Sequence, residues 1–324
     1  MTKKKIALYW CSSCGGCEES VVDLAEDIIK VAEAVDIVFW PVALDFKHKD
    51  VRQLADGEIS ATLINGSVRM DDQEEMARLL RQKSQLIIAH GSCAHLGGLY
   101  GLGNFFSSQE VLSRSYKDVP TVKNPQGVLP QVHTIESGRE LKLSGFHDRV
   151  KPLDQVVDVD YYIPGCPPSP ELLKNAITLV IEERLPQKGS VLAARTALCD
   201  TCPRRDSRPE KLRIKRFKRL YETVWDPERC FLDQEIICLG PATRGGCRAR
   251  CIGANMPCRG CFGPTDNVAD QGTKSLSFIA ALIDSTDEAE LREIVDSIPD
   301  PAGLFYRYTL PTSMLRGKTE KPIR

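Results

Sequence analysis

The sequence predicts an α/β fold: a parallel sheet with helices on both faces, followed by an irregular segment crowded with cysteine. Three observations carry this. Short apolar runs alternate with helical patterns through the first half of the chain. Regular periodicity mostly fades after Gly189. Nine of the thirteen cysteines fall between Cys166 and Cys261.

The elements follow in order. Ile6–Trp10 is a short apolar strand. Glu18–Val35 carries Val21, Val22, Ala25, Ile28, Ile29, Ala32 and Val35 at the spacing of one helical face, which predicts a single helix. Ile37–Leu44 and Ala61–Val68 are the next two strands, and Asp71–Lys83 is a polar helix. Gln85–Ala89 is a fourth strand, running into Gly91-Ser92-Cys93. From Tyr100 to Asp160 the chain is rich in Gly, Pro and Ser and reads as an insertion, with a hairpin over His133–Phe146 turning at Ser137-Gly138. Tyr161–Ile163 is the fifth strand, ending at Pro164-Gly165-Cys166. Ser169 caps a helix that reaches Leu185, with Pro170 at its first position. A domain boundary falls near Arg184–Val191, giving residues 1–188 and 189–324. Thr273–Val295 returns to helical periodicity, and Arg316–Arg324 is a polar tail.

Composition narrows the function. A chain of 324 residues suits about two domains, and 42% hydrophobic content suits a globular protein. A net charge of −1 gives no global field for nucleic acid or an anionic membrane. No run is long and apolar enough to span a bilayer, and the N-terminus does not resemble a signal peptide. The expected compartment is the cytoplasm, where thiols stay reduced and clustered cysteines bind metal. An odd cysteine count also fits poorly with a disulfide scaffold. There is no P-loop, no GxGxxG after the first strand and no visible Ser/His/Asp arrangement, so no catalytic residue is expected on this chain.

The cysteines form three sets. Cys14-Gly-Gly-Cys17, Cys93 and Cys166 each follow a predicted strand. In a parallel sheet the strand ends share one edge, so residues far apart in sequence converge there. Four thiolates are what a 4Fe–4S cluster requires, and the flanking glycines let the backbone approach it. Cys199, Cys202, Cys230 and Cys238 form a second set; Cys247, Cys251, Cys258 and Cys261 form a third. Spacing alone leaves Cys230 and Cys238 assignable to either set, and zinc, the lesser reading, would also accept four thiolates. Cys11 extends a C-x2-C-x2-C run, but no fourth cysteine follows at ferredoxin spacing, so it reads as a buried bystander.

Smaller features are open to two readings. Arg204–Arg219 holds nine Lys or Arg residues against Asp206 and Glu210; it reads as a solvated surface, or else as a docking face for an acidic partner. His95 lies two residues from Cys93 and would either satisfy a backbone carbonyl or donate to a cluster sulfur. Glu18 and Glu19, beside Cys17 at a helix start, either favour the helix dipole or serve a proton relay.

The motifs Cys14-Gly-Gly-Cys17, Gly91-Ser-Cys93 with Gly97-Gly98, and Pro164-Gly-Cys166-Pro-Pro-Ser-Pro170 resemble the small subunit of NiFe hydrogenases. They also resemble the 20-kDa-type subunit of respiratory complex I. The latter ends after one cluster, whereas this chain continues through Pro241-Ala-Thr-Arg-Gly-Gly-Cys247 and Met256-Pro-Cys258-Arg-Gly-Cys261-Phe-Gly-Pro264. The whole looks most like the cytoplasmic methyl-viologen-reducing type, which works with heterodisulfide reductase.

The resemblance implies a flavodoxin-like domain followed by an irregular iron–sulfur domain. It implies a proximal cluster on Cys14, Cys17, Cys93 and Cys166, nearest the nickel–iron site of a separate large subunit. It implies a middle cluster on Cys247, Cys251, Cys258 and Cys261, and a distal one on Cys199, Cys202, Cys230 and Cys238. Cys199 stands where periplasmic members often have histidine, and Cys251 supplies a ligand that a proline often removes. Three low-potential 4Fe–4S clusters are therefore expected, feeding a downstream iron–sulfur or flavin subunit such as a heterodisulfide reductase module. Two readings compete: an electron-transfer subunit of another dehydrogenase related to complex I, and a zinc-stabilised binding module.

Overall fold

The computed structural model describes residues 3–317. The polar tail beyond Gly317 lies outside the described residues.

Five strands form one all-parallel sheet: β1 (Lys4–Trp10), β2 (Val35–Phe39), β3 (Ile59–Asn65), β5 (Ser84–His90) and β9 (Tyr161–Ile163), in the order β2-β1-β3-β5-β9. Counting only these strands, the order is 2-1-3-4-5, that of a flavodoxin-like doubly wound sheet. Side chains alternate between faces along each strand. Ile6 and Leu8 join Leu63, Ile88 and Ile163 in one apolar cluster, covered by α7 (Pro170–Ile181) through Leu173, Ile177 and Val180. Ala7 and Tyr9 join Ile64, Ile87 and Ala89 on the opposite face, covered by α4 (Asp71–Lys83) through Met76, Ala77 and Leu80. Burial on both faces is why these strands read as near-continuous apolar runs.

Register places the functional edge. Trp10 pairs with Asn65, Asn65 with His90, and His90 with Ile163. The last residues of these strands therefore lie in one row. Cys14, Cys93 and Cys166 follow them within three or four residues.

Several expected boundaries shift. The single helix over Glu18–Val35 is two, α1 (Gly16–Val22) and α2 (Asp27–Ala34), broken at Ala25 with φ of 50°. Val35 begins β2 instead, and the strand expected to Leu44 ends at Phe39 in a turn over Trp40–Leu44. The strand over Ala61–Val68 stops at Asn65. Gly66 turns with φ of 80°, and β4 (Val68–Met70) pairs with β8 (Phe146–Lys151). A side chain at Gly66 would meet the Cys11 and Ser12 backbone at 2.8 Å, so glycine is required there.

The hairpin forms as β6 (His133–Glu136) and β7 (Arg139–Lys142), with Ser137 and Gly138 both at positive φ. Ser169 accepts from the Leu172 N–H at 3.3 Å and caps α7, which ends at Ile181 rather than Leu185. Thr273–Val295 is likewise two helices, α9 (Gln271–Ala280) and α10 (Glu288–Asp296).

From Leu198 onward a third apolar cluster forms, from Ile214, Phe217, Phe231, Leu239, Ile252, Phe305 and Leu310. Regular structure here is scarce. Cys238 and Cys258 are themselves members of this cluster.

Candidate iron–sulfur sites

The first set assembles at the sheet edge from the loop after β1 with the start of α1, from α5 (Gly91–Leu96), which starts directly after β5, and from the turn after β9. Burial raises the Cys17 thiol, and the Cys93, Cys166 and Cys14 thiols raise it further. Cys93 is pushed up to about 12 by burial, then by Cys166 and Cys14. Four cysteine sulfurs thus crowd one spot, an arrangement that favours capture of positive charge. The glycines are fitted to them. A Cβ at Gly91 would overlap the Cys17 sulfur, and one at Gly98 the Cys93 sulfur. Both glycines hold positive φ, at 87° and 61°.

The second set also converges. Cys199 is pushed up to about 12 by burial, then by Cys238, Cys202 and Cys230. A Cβ at Gly240 would stand 3.0 Å from the Cys199 sulfur and 3.7 Å from that of Cys238. The Cys230 N–H donates to Ser207 Oγ at 2.8 Å, which fixes that loop. Spacing leaves Cys230 and Cys238 open; the structure brings both to Cys199.

In the third set, Cys261 is pushed up to about 12 by burial, then by Cys166, Cys251 and Cys247. Burial also raises Cys258, with Cys238 next and Cys261 after it. This set therefore touches both others. Cys261 faces Cys166 of the first, and its carbonyl accepts from Ser92 Oγ. The Cys258 N–H donates to Cys238 Sγ of the second at 3.3 Å.

The donor set fits iron–sulfur cages better than single ions. Zinc at ~2.3 Å from each sulfur would hold four thiolates about 3.8 Å apart. Among the described residues, no three Cys, His, Asp or Glu side chains converge closely enough to hold one metal ion. Cysteines gathered in groups of four, with glycine backbone packed against sulfurs of the first two sets, suit larger cages.

Cys11 packs in the apolar cluster with Tyr9 and Phe39. Burial raises its thiol, with Asp72 the next cause, and no cysteine acts on it. His95 fits neither reading: its ring lies against Tyr162 at 4.5 Å, and its buried Nδ1 has no partner among the described residues. Burial, then Arg244, pushes it down to about 3.

Arg204 overturns a uniformly solvated basic stretch. It is buried, stacks 4.1 Å over Phe231, and donates to the Arg229 carbonyl and to Asn255 Oδ1. A buried polar group beneath Cys17 escapes sequence reasoning. Glu18 accepts from Trp40 Nε1 and from Asn65 Nδ2, and His90 Nε2 lies 3.3 Å from Ser20 Oγ. Asn65 and His90 end their strands in the same row, the one signal that could have found them.

Residues 14–180 match the family described as NADH ubiquinone oxidoreductase, 20 Kd subunit. The iron–sulfur subunit of the F420-non-reducing hydrogenase of Archaeoglobus profundus is 38% identical over 320 residues, covering 98% of this chain and 99% of that one. The like-named F420-non-reducing hydrogenase subunit from Methanothermobacter thermautotrophicus is 36% identical, with 98% of each chain covered. A recombinant [NiFeSe] hydrogenase from Desulfovibrio vulgaris Hildenborough shares the fold at a TM-score of 0.52 and 16% identity, over 82% of this chain and 95% of that chain. Full-length similarity at this level, with the sheet order and the cysteine sets, shows that the chain belongs to the family of F420-non-reducing hydrogenase iron–sulfur subunits, within the wider 20 Kd oxidoreductase subunit family.

Proposed function

We propose that this chain is the electron-transfer subunit of a cytoplasmic NiFe hydrogenase, carrying electrons from a large-subunit hydrogen-oxidising site to a further redox partner such as a heterodisulfide reductase module. It would hold three 4Fe–4S clusters: proximal on Cys14, Cys17, Cys93 and Cys166; middle on Cys247, Cys251, Cys258 and Cys261; distal on Cys199, Cys202, Cys230 and Cys238. Residues 1–188 would carry the first and 189–324 the other two. One observation carries the reading. The third cysteine set touches the first through Cys261 and Cys166, and the second through Cys258 and Cys238. The three sets thus form a row, with the third in the middle.

When bound, the clusters would supply one-electron carriage. The protein's own residues do the rest. The thiolates fix each site, and the glycine clefts admit it. The Cys258 N–H stabilises charge on the Cys238 sulfur, and a backbone donor of this kind raises potential. Burial of Cys17, Cys93, Cys238 and Cys258 keeps water away. Cys14 and Cys166 are exposed, beside exposed Trp10 and Tyr100. Burial and the Cys14, Cys93 and Cys166 thiols raise the Tyr100 hydroxyl, so this ring borders the first set. An apolar aromatic rim around exposed ligands suits cover by the large subunit.

The test is Cys258→Ser in the complete complex, purified without oxygen. Hydrogen-dependent reduction of the downstream acceptor should stop while the large subunit still exchanges hydrogen isotopes. A normal rate to the acceptor would overturn the role. Paired CxxC nickel ligands in the co-purifying large subunit would separate a hydrogenase from another dehydrogenase.

A further inference from the structure

A cavity of about 440 Å³ opens on the cysteine-rich half, away from the first set. Its walls come from three places: Phe217–Tyr221 at the end of the basic stretch, Ile236 and Ile237 leading to Cys238, and the C-terminal segment with Leu304 and Arg307. Arg259, the residue after Cys258, also lines it.

Arg219, Arg259 and Arg307 line this cavity together, against one lining carboxylate, Asp300. The Arg307 Nε is buried with no hydrogen-bond partner among the described residues. Asp300 also caps the Gly303 N–H at 3.0 Å and offsets only one of these positive charges. Lys218 is already paired with Glu235 at 2.6 Å. Three arginines against one carboxylate leave an excess of positive charge, which an anionic occupant would offset.

The surroundings say what kind of anion. Leu220, Tyr221, Ile237 and Leu304 give the cavity apolar walls. Tyr221 is 77% exposed, and Val224 just beyond it is fully exposed. Lys218 and Arg219, the end of the basic stretch, are in its wall. A small inorganic ion would leave these apolar residues in water. A protein segment with an acidic side chain among apolar ones would cover both features.

We propose that the Arg259–Arg307 cavity receives an acidic segment of the downstream electron-acceptor protein, docking it beside Cys238 and Cys258. This inference rests on the electron-transfer reading above, and its test keeps the two apart.

The intact complex is purified anaerobically in three forms: wild type, Arg307→Gln and, separately, Arg219→Glu. Each is assayed with hydrogen and two acceptors, a viologen dye that needs no docking and the physiological acceptor protein. Both variants should reduce viologen at wild-type rates, yet transfer to the acceptor protein about tenfold more slowly, with acceptor dissociation at lower salt. A Glu-Leu peptide should inhibit wild-type transfer to the acceptor protein, whereas a Lys-Leu peptide should not. Variants that match wild type with both acceptors would overturn the docking site, as would inhibition by inorganic phosphate alone at equal concentration. A wild-type complex that reduces neither acceptor would instead overturn the electron-transfer reading.

Discussion

If the chain holds three clusters as proposed, replacing Gly91 with alanine should remove one and spare the other two. Gly91 holds φ of 87°, and its missing Cβ would overlap the Cys17 sulfur. The left-handed backbone costs an alanine about 1–2 kcal/mol. The overlap adds to this, because Cys17 is buried and cannot swing into solvent. Gly57 separates the two contributions. It holds φ of 70°, but nothing lies within 4 Å of its Cβ position. Gly57→Ala should therefore show only the backbone cost, a modest fall in melting temperature with full iron. Gly91→Ala should bind about eight irons in place of about twelve and lose the spectroscopic signal of the first cluster. The assay is iron and acid-labile sulfide per chain on anaerobically purified holo-protein, with low-temperature electron paramagnetic resonance to identify what remains. If Gly91→Ala kept all the iron and an unchanged first-cluster signal, this glycine would not be there to admit the Cys17 sulfur.

Other perturbations reach other parts of the molecule. Cys11→Ala should keep about twelve irons and cost no more than about 2 kcal/mol by chemical denaturation, since Cys11 packs as a small apolar residue. Arg244 is buried and donates to the Ala194 and Pro264 carbonyls and to Asp266. Arg244→Met should therefore destabilise the protein by about 3 kcal/mol in the same assay. Removing iron with an oxidant and a chelator should open the half after Leu198 first, because Cys238 and Cys258 lie within its apolar cluster. Limited proteolysis of the stripped protein should then cut between Arg195 and Gln271 while the five-stranded sheet survives.

Much of this architecture is visible in the sequence, for identifiable reasons. The strands are buried on both faces, so each appears as an apolar run, and a parallel sheet gathers their ends without further information. That is why Cys14, Cys17, Cys93 and Cys166 could be grouped across 153 positions. What could not be read lies where local geometry departs from periodicity. Apolar spacing runs unbroken through Ala25, yet the backbone turns left-handed there and splits the helix. The pairing of Cys230 and Cys238 with Cys199 depends on loops that lack any period. His95 looks placed to serve a sulfur or a carbonyl, but its neighbour is Tyr162, which is 67 positions away in sequence. Composition marks Arg204 as one charge among many, and only the fold reveals it stacked beneath Trp225 and Phe231.

Iron and inorganic sulfide, counted together on protein prepared without oxygen, bear most directly on the whole scheme. About twelve of each per chain, with a brown colour that bleaches on reduction, is the expected result. Zinc without sulfide, or iron sufficient for a single cage, would contradict it.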